Sequence, residues 1–203
     1  MDNVTLTKTE NISSVLDSVA LAYENYPLFN YLICENSKAT PIKQILASSI
    51  KSSKTEFICI SLGEESKATA IFVKPNYKGS PTIPFLLAGG LKLILKYSPS
   101  IILRLLNYEK YAMKMKSKYS DNNCWYLYSL TVHPDYQHKG LATKVITPML
   151  NFFDATGQSC YIETNDSQNV PLYEHFGFKL METGNIPKTK VVHYSMRREA
   201  KLK

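Results

Sequence analysis

Residues 137–142, between a predicted strand and a predicted helix, have the composition of an anion-binding turn. The preceding run, 124–132, is apolar and aromatic, and the following run, 141–153, has the apolar spacing of a helix. The first N–H groups of a helix lack partners within it, and the helix dipole adds partial positive charge beside them. Gly140 lets a ligand approach the backbone and Lys139 adds a full positive charge, so a phosphate group is the expected ligand.

The spacing of the motif decides which phosphate ligand is expected. The chain has neither the G-x-x-x-x-G-K-[ST] run of a nucleotide P-loop nor the G-x-G-x-x-G run of a dinucleotide fold. It has Q-x-x-G-x-A, formed by Gln137, Gly140 and Ala142, after a strand that ends in Leu-Thr-Val. This combination resembles the acetyl-CoA signature of the GNAT (Gcn5-related N-acetyltransferase) superfamily, [QR]-x-x-G-x-[GA].

A second element of the resemblance lies downstream, in residues 169–178 (NVPLYEHFGF), where Asn169 precedes Tyr173 by four residues. The similarity is good over about 124–196 and only in outline before that. The segment YIET at 161–164, followed by this element, is closest in style to antibiotic-type small-molecule acetyltransferases such as puromycin N-acetyltransferase. The resemblance implies a GNAT fold and transfer of an acetyl group.

Acyl transfer from a thioester to an amine needs a positioned thioester, donors for the developing oxyanion, and a proton for the leaving thiolate. The resemblance implies that the Tyr173 hydroxyl protonates the CoA thiolate, that Asn169 contacts the pantetheine arm, and that backbone N–H groups of about 138–143 bind the pyrophosphate. The implied cofactor-binding residues are Leu130, Thr131, Val132, Gln137, His138, Lys139, Gly140, Leu141, Ala142, Thr143 and Asn169. The alternative is that Tyr173 is an ordinary helix aromatic and Asn169 an ordinary surface amide.

Glu163 is a carboxylate within a predicted strand, where charged groups are disfavoured unless they face a site. It has three open interpretations: a base for the amine, a binding group for the amine's charge, or an edge-strand residue that faces solvent. Tyr26, Tyr126 and Tyr128 are candidates for an aromatic acceptor pocket or for core packing. No Cys or Ser lies where an acyl-enzyme requires one, so we expect direct attack in a ternary complex.

Composition limits the partners and the compartment. The chain has 203 residues, 44% of them apolar, which suits one domain over residues 1–203, and its formal charge is +7. That charge favours acidic partners, but no like-charge block or basic–aromatic interleaving supports nucleic-acid binding, and the apolar runs are too short to span a membrane. The start of the chain has no signal pattern, so a cytoplasmic protein is expected.

Cysteine and histidine usage points to neither disulfides nor a metal. The four cysteines form no C-x-x-C pair, and three lie in apolar surroundings, as expected of buried free thiols in a reducing compartment. The four histidines have no zinc spacing, so no metal is expected.

The elements that position these residues predict an α/β domain: a mixed central sheet flanked by helices, with an extra helical pair in the middle. The predicted helices cover 12–26, 42–50, 84–97, 99–118, 141–154 and a short stretch ending at His175. The predicted strands are a hairpin of 57–62 and 68–73, then 124–132, 159–164, one beginning at 177, and 190–197. Strict alternation in 124–132 places Trp125, Leu127, Ser129 and Thr131 on one face and Tyr126, Tyr128, Leu130 and Val132 on the other.

The function expected from the sequence is acetyl-CoA-dependent acetylation of a primary amine on a small molecule. Acetylation of a protein N-terminus or lysine, a non-catalytic CoA-binding module and nucleic-acid binding remain as alternatives. Neither the acceptor amine nor the oligomeric state follows from the residues, because acceptor specificity in this superfamily lies in the N-terminal helices and the variable middle.

Overall fold

The computed structural model describes residues 4–7, 12–34, 38–53 and 56–201. The helices are α1 (Ile12–Ala22), α2 (Pro27–Leu32), α3 (Ala39–Ser52), α4 (Thr82–Phe85), α5 (Leu91–Lys96), α6 (Pro99–Tyr119), α7 (Leu141–Thr156) and α8 (Val170–His175). The strands are β1 (Val4–Thr7), β2 (Phe57–Leu62), β3 (Ala68–Val73), β4 (Trp125–Val132), β5 (Cys160–Thr164), β6 (Lys179–Asn185) and β7 (Val192–Arg198). The predicted α/β class with a mixed sheet is confirmed.

The strands form one sheet of seven in the order β1-β2-β3-β4-β5-β7-β6. Every adjacent pair is antiparallel except β4 and β5, which are parallel. These two central strands pair only at Trp125 with Cys160 and at Tyr126 with Tyr161. Beyond Tyr126, β4 and β5 diverge, and the edge of β4 that faces β5 has no partner strand among the described residues.

Helices cover both faces of the sheet, and each face has its own hydrophobic core. Helices α1, α2, α3 and α6 cover one core, which includes Leu16, Ile42 and Tyr161. Helices α7 and α8 cover the other, which includes Phe72 and Phe153. Since the sheet is buried on both sides, charged side chains in its central strands require a specific environment.

The predicted hairpin is confirmed with its bounds, because β2 and β3 cover Phe57–Leu62 and Ala68–Val73 and pair antiparallel. The predicted helix over 99–118 is also confirmed as α6, where Pro99 occupies the first turn and the Ser98 hydroxyl accepts from the Ser100 N–H at 3.2 Å. Three cysteines, Cys59, Cys124 and Cys160, are buried free thiols as expected.

Two predicted helices are shorter or more broken than their patterns suggest. The helix predicted over 12–26 ends at Ala22, because Pro27 begins the next helix and holds Tyr26 in an extended conformation, with ψ 136°. The helix predicted over 84–97 is α4, a π turn over Leu86–Gly90, and α5. Gly89 breaks it, with a φ of 134° that favours glycine alone.

The strict alternation predicted for β4 is wrong after Tyr128. Ile71 of β3 faces Ser129 while the next residue, Phe72, faces Leu127, so Tyr128 is the extra residue of a β-bulge. After the bulge, Leu130 and Val132 pack on the α7 side, and the Ser129 hydroxyl lies 3.0 Å from that of Tyr23, the residue that follows α1. The bulge therefore turns consecutive polar groups of β4 toward α1.

Helix α7 has a left-handed residue at each end. Gly140 precedes it with φ 69°, and Gly157 follows it with φ 67°, a conformation that commonly ends a helix. Pro148 lies inside α7 on its exposed side without ending it. No helix within the described ranges is long and apolar enough to span a membrane.

Candidate active site

A groove with a volume of about 560 Å³ opens where β4 diverges from β5. The start of α7 lies at one end of it and α8 along its side. Its lining includes Leu130, Thr131, Val132, Gln137, His138, Gly140, Leu141, Ala142, Thr143, Asn169 and Tyr173. The structure thus places all but one of the predicted cofactor-binding residues along one continuous surface.

The start of α7 has the geometry of an anion cradle. No side chain caps this helix end, so its first N–H groups remain free for a ligand. His138 and Gly140 both have left-handed backbones, with φ values of 59° and 69°, and a Cβ built on Gly140 would meet nothing within 4 Å. The Gln137 amide donates to the Val132 carbonyl at 3.4 Å, which ties the turn to the end of β4.

Lys139 is the exception among the predicted residues, because its side chain does not line the groove. Its ammonium donates to the Asp135 carbonyl at 3.1 Å and lies 5.2 Å from the centre of the Tyr136 ring. Its charge still lies near the cradle, but its side chain has protein partners.

The middle of the groove exposes the backbone of β4. Leu130, Thr131 and Val132 line it beyond the last residue that pairs with β5. Their N–H and C=O groups on that edge are therefore available to an extended ligand, which would add to the sheet as a strand does.

Tyr173 lies on α8 and is 5% exposed, with its side chain on the groove. Burial raises the pKa of its hydroxyl well above the usual value, and Tyr23 and Tyr26 add to the shift. The hydroxyl is therefore protonated at neutral pH. Within the described ranges the hydroxyl has no hydrogen-bond partner, and it remains accessible from the groove.

Asn169 lines the groove from a 3₁₀ turn and not from the helix that contains Tyr173. It ends a 3₁₀ turn, Ser167–Asn169, capped by the Asp166 carboxylate at 3.0 Å from the Gln168 N–H, and α8 begins one residue later. It does not share a helical face with Tyr173, although both line the groove. Its amide donates to the Thr164 hydroxyl at 3.3 Å, which fixes the side chain against the end of β5.

A smaller cavity of about 90 Å³ adjoins the groove between β4, β5 and the helices α1, α2, α3 and α6. Most of its wall is aromatic or apolar, and two carboxylates, Glu109 and Glu163, complete it. Four residues line both spaces: Tyr23, Tyr26, Tyr128 and Glu163. The groove and the cavity therefore meet at these side chains.

Glu163 lies on β5, between β4 and β7, and its side chain is 4% exposed. The interpretation as an edge-strand residue facing solvent is therefore wrong. The hydroxyls of Tyr126 and Tyr108 donate to one carboxylate oxygen, Oε1, at 2.8 and 3.0 Å. The other oxygen, Oε2, is buried without a hydrogen-bond partner in the described residues and lies 3.8 Å from Nε2 of His193.

His193 on β7 is 1% exposed, and neither ring nitrogen has a hydrogen-bond partner among the described residues. Burial lowers the pKa of its imidazole, while the Glu163 carboxylate opposes the shift. The ring is therefore neutral at pH 7 and can accept a proton. Sequence reasoning missed it because nothing near His193 in the chain forms a motif.

The three tyrosines predicted for an acceptor pocket all line the cavity. The Tyr126 hydroxyl donates its hydrogen bond to Glu163. The Tyr26 hydroxyl lies 2.9 Å from that of Thr164 and accepts from the Asn165 N–H at 2.6 Å, which links α2 to β5. Tyr108 and Glu109 were missed, because Lys110, Lys114 and Lys118 follow them on α6 and lysines are typical of a solvent-exposed helix face. In the described part of the chain, no three His, Cys, Asp or Glu side chains group as metal ligands would.

Part of the sequence is similar to known acetyltransferases. Residues 103–178 match the acetyltransferase (GNAT) family. An uncharacterized N-acetyltransferase of Schizosaccharomyces pombe is 41% identical over 61 residues, which span 30% of this chain and 25% of the yeast protein.

Solved structures share the fold at low identity. A Corynebacterium glutamicum protein, described as a histone acetyltransferase and related acetyltransferase, superimposes with a TM-score of 0.65 at 11% identity, over 100% of this chain and 98% of that one. Arylalkylamine N-acetyltransferase 2 of Aedes aegypti gives 0.61 at 13% identity, over 97% and 99%. This chain therefore has the GNAT fold over its whole length, and its residues 103–178 are similar in sequence to the GNAT acetyltransferase family.

Proposed function

We propose that this protein transfers the acetyl group of acetyl-CoA to a primary amine of a small molecule, by direct attack in a ternary complex. The observation that carries the proposal is the junction of two spaces. A long groove with an anion cradle at one end meets a smaller aromatic cavity, and a buried carboxylate, Glu163, lies at the junction. Donor and acceptor can thus be held together without a covalent intermediate.

The groove suits a CoA thioester along its whole length. The free N–H groups at the start of α7 would bind the pyrophosphate, and the unpaired edge of β4 would bind the pantetheine arm, with Asn169 on the opposite wall. The N–H groups of β4 next to the bulge would donate to the thioester oxygen as it gains charge. These donors belong to the backbone, so the side chains of 130–132 are free to vary.

The acceptor amine enters from the other space. At neutral pH it arrives as an ammonium ion, whose charge the Glu163 carboxylate would bind at the junction. Attack requires the neutral amine, and Glu163, with the neutral His193 behind it, provides an acceptor for the proton. The new C–N bond then forms and the C–S bond breaks. The Tyr173 hydroxyl protonates the leaving thiolate, and the proton that the attacking nitrogen loses restores the Tyr173 hydroxyl.

The size of the cavity favours a small acceptor over a folded protein. An apolar cavity of roughly 150 Å³ accommodates one benzene molecule, so about 90 Å³ admits a short chain of a few non-hydrogen atoms. The Aedes aegypti neighbour, by its name, acts on arylalkylamines, which are also small-molecule amines but would exceed this volume. An antibiotic-type acceptor and acetylation of a peptide N-terminus remain predictions that an amine panel distinguishes.

The test is release of free thiol from acetyl-CoA in the presence of single amines, with the product identified by mass spectrometry. We expect thiol release that depends on a small primary amine, and a product heavier by one acetyl group. A protein that binds acetyl-CoA in a thermal-shift assay yet releases no thiol with any small amine or peptide would be a binding module, and the proposal would fail.

A further inference from the structure

The cavity contains a carboxylate that the proposed chemistry does not use. Glu109 lies on α6 beside Tyr108 and lines the cavity but not the groove. Within the described ranges it has no hydrogen-bond donor and no ion-pair partner. Glu163, by contrast, receives two tyrosine hydroxyls. Glu109 is therefore a partly exposed carboxylate that lines the cavity alone and has no partner among the described residues.

An unpaired carboxylate in such a place is costly to the folded protein. Partial removal of an ionised group from water requires a compensating charge or hydrogen bonds, and the described residues supply Glu109 with neither. Burial alone raises the pKa of its carboxyl to about 7. A cation bound in the cavity would supply the missing partner.

The wall between the two carboxylates also suits a cation. The Tyr77 ring lies 5.7 Å from that of Tyr126 and 6.5 Å from that of Tyr128, centre to centre. Tyr77, Glu109 and Glu163 all line the cavity. Aromatic faces attract cations, and tyrosine walls combined with carboxylates hold ammonium groups well.

We propose that the cavity is a second cation subsite and that the acceptor is a short aliphatic diamine. The reacting nitrogen lies at Glu163, which borders the groove, and the second ammonium lies at Glu109, which borders only the cavity. The volume of about 90 Å³ limits the linker to a few carbons. This inference rests on the proposed function and names its substrate class.

The test compares butane-1,4-diamine with butylamine, which has the same chain and lacks the second ammonium. We expect kcat/KM for the diamine to exceed that for butylamine at least tenfold. Glu109→Gln removes the second charge and should lower kcat/KM for the diamine at least tenfold while leaving butylamine within about twofold. The matched control is Glu64→Gln, an exposed glutamate in the turn between β2 and β3.

Equal kcat/KM values for the two amines, or an equal loss for both in Glu109→Gln, would overturn the subsite. Glu109→Asp keeps the charge and should retain part of the diamine preference, which distinguishes a lost charge from a damaged fold. Calorimetric binding of butane-1,4-diamine to the CoA-bound protein separates the two proposals. Binding that Glu109→Gln abolishes supports the subsite even if no thiol is released, whereas turnover of butylamine without diamine binding refutes the subsite and leaves the acetyltransferase.

Discussion

The groove and the cavity meet at Glu163, but the groove would bind its ligand mainly with backbone groups and the cavity with side chains. The groove uses backbone groups at the start of α7 and on the diverging strand β4, most of them within residues 128–143. The cavity uses side chains from the turn after α1 and from α2, α3, α6, β4 and β5. A site built from backbone depends on geometry that a few residues such as Gly140 provide, whereas a site built from side chains depends on packing between distant elements. Substitutions should therefore act differently in the two regions.

The largest effect is expected where the groove supplies its one essential side chain. Tyr173→Phe removes the hydroxyl that protonates the thiolate and should lower kcat roughly a hundredfold or more. The Kd for acetyl-CoA should stay within about twofold, since the cradle and β4 are untouched. Steady-state kinetics and calorimetry measure both. Tyr97→Phe, at the end of α5, is the matched control, and an unchanged kcat in Tyr173→Phe would remove the assigned role.

The next effect should fall on the acceptor alone. Glu163→Gln keeps the shape of the side chain but removes the charge that binds the ammonium, so kcat/KM for the amine should fall about tenfold to a hundredfold. Acetyl-CoA affinity should not change. If acetyl-CoA affinity fell while the KM for the amine held, Glu163 would belong to the groove and the division between the two regions would fail.

A smaller effect distinguishes backbone geometry from general stability. Gly140→Ala and Gly157→Ala both place a side chain on a left-handed residue, at the two ends of α7, with no atom within 4 Å of the added Cβ. Each should lower the free energy of unfolding by about 1 kcal/mol. Only Gly140→Ala should also weaken acetyl-CoA binding, by about fivefold or more. Urea unfolding and calorimetry test this pair, and equal binding by the two variants would count against the cradle.

The smallest effect concerns the pH dependence of stability. Burial raises the pKa of Glu109 from 4.5 to about 7, so between these values the folded protein holds a proton that the unfolded chain has lost. This contribution is complete below pH 4.5 and is lost as the pH rises through 7. Tyr77 and Tyr128 beside it stay protonated, because their pKa values are raised.

Glu109→Gln lacks this titration, so its Tm relative to the wild type should be higher at pH 8 than at pH 5. Thermal unfolding at the two pH values measures the difference. Butane-1,4-diamine should stabilise the wild type at pH 8 and leave Glu109→Gln unchanged. A pH-independent difference in Tm between the two proteins would show that Glu109 does not titrate in the cavity.

The contrast between local backbone geometry and packing of distant elements explains which features could be predicted from the sequence. The cradle was predictable because Gln137, Gly140 and Ala142 lie within six residues, and the backbone geometry of a turn depends on the residues in that turn. The β2–β3 hairpin was predictable for the same reason. The bulge at Tyr128 was not, because it depends on how β4 pairs with β3, more than 50 residues earlier in the chain. Periodicity within a single strand contains no information about its partner.

The cavity was predictable only in part. The tyrosines at 26, 126 and 128 were chosen for their chemistry, and Glu163 because a carboxylate is unusual within a strand. Its partners Tyr108 and His193 come from α6 and β7, which only the folded chain brings to β5. Glu109 was hidden among the lysines of α6, since only packing shows which side of that helix faces the cavity.

The central claim is that groove and cavity form one site in which donor and acceptor are bound together. Initial rates of thiol release, measured over a grid of acetyl-CoA and butane-1,4-diamine concentrations, test it most directly. A ternary complex predicts double-reciprocal lines that intersect. Parallel lines, which signify a covalent acyl-enzyme, or release of thiol that does not depend on the amine, would contradict it.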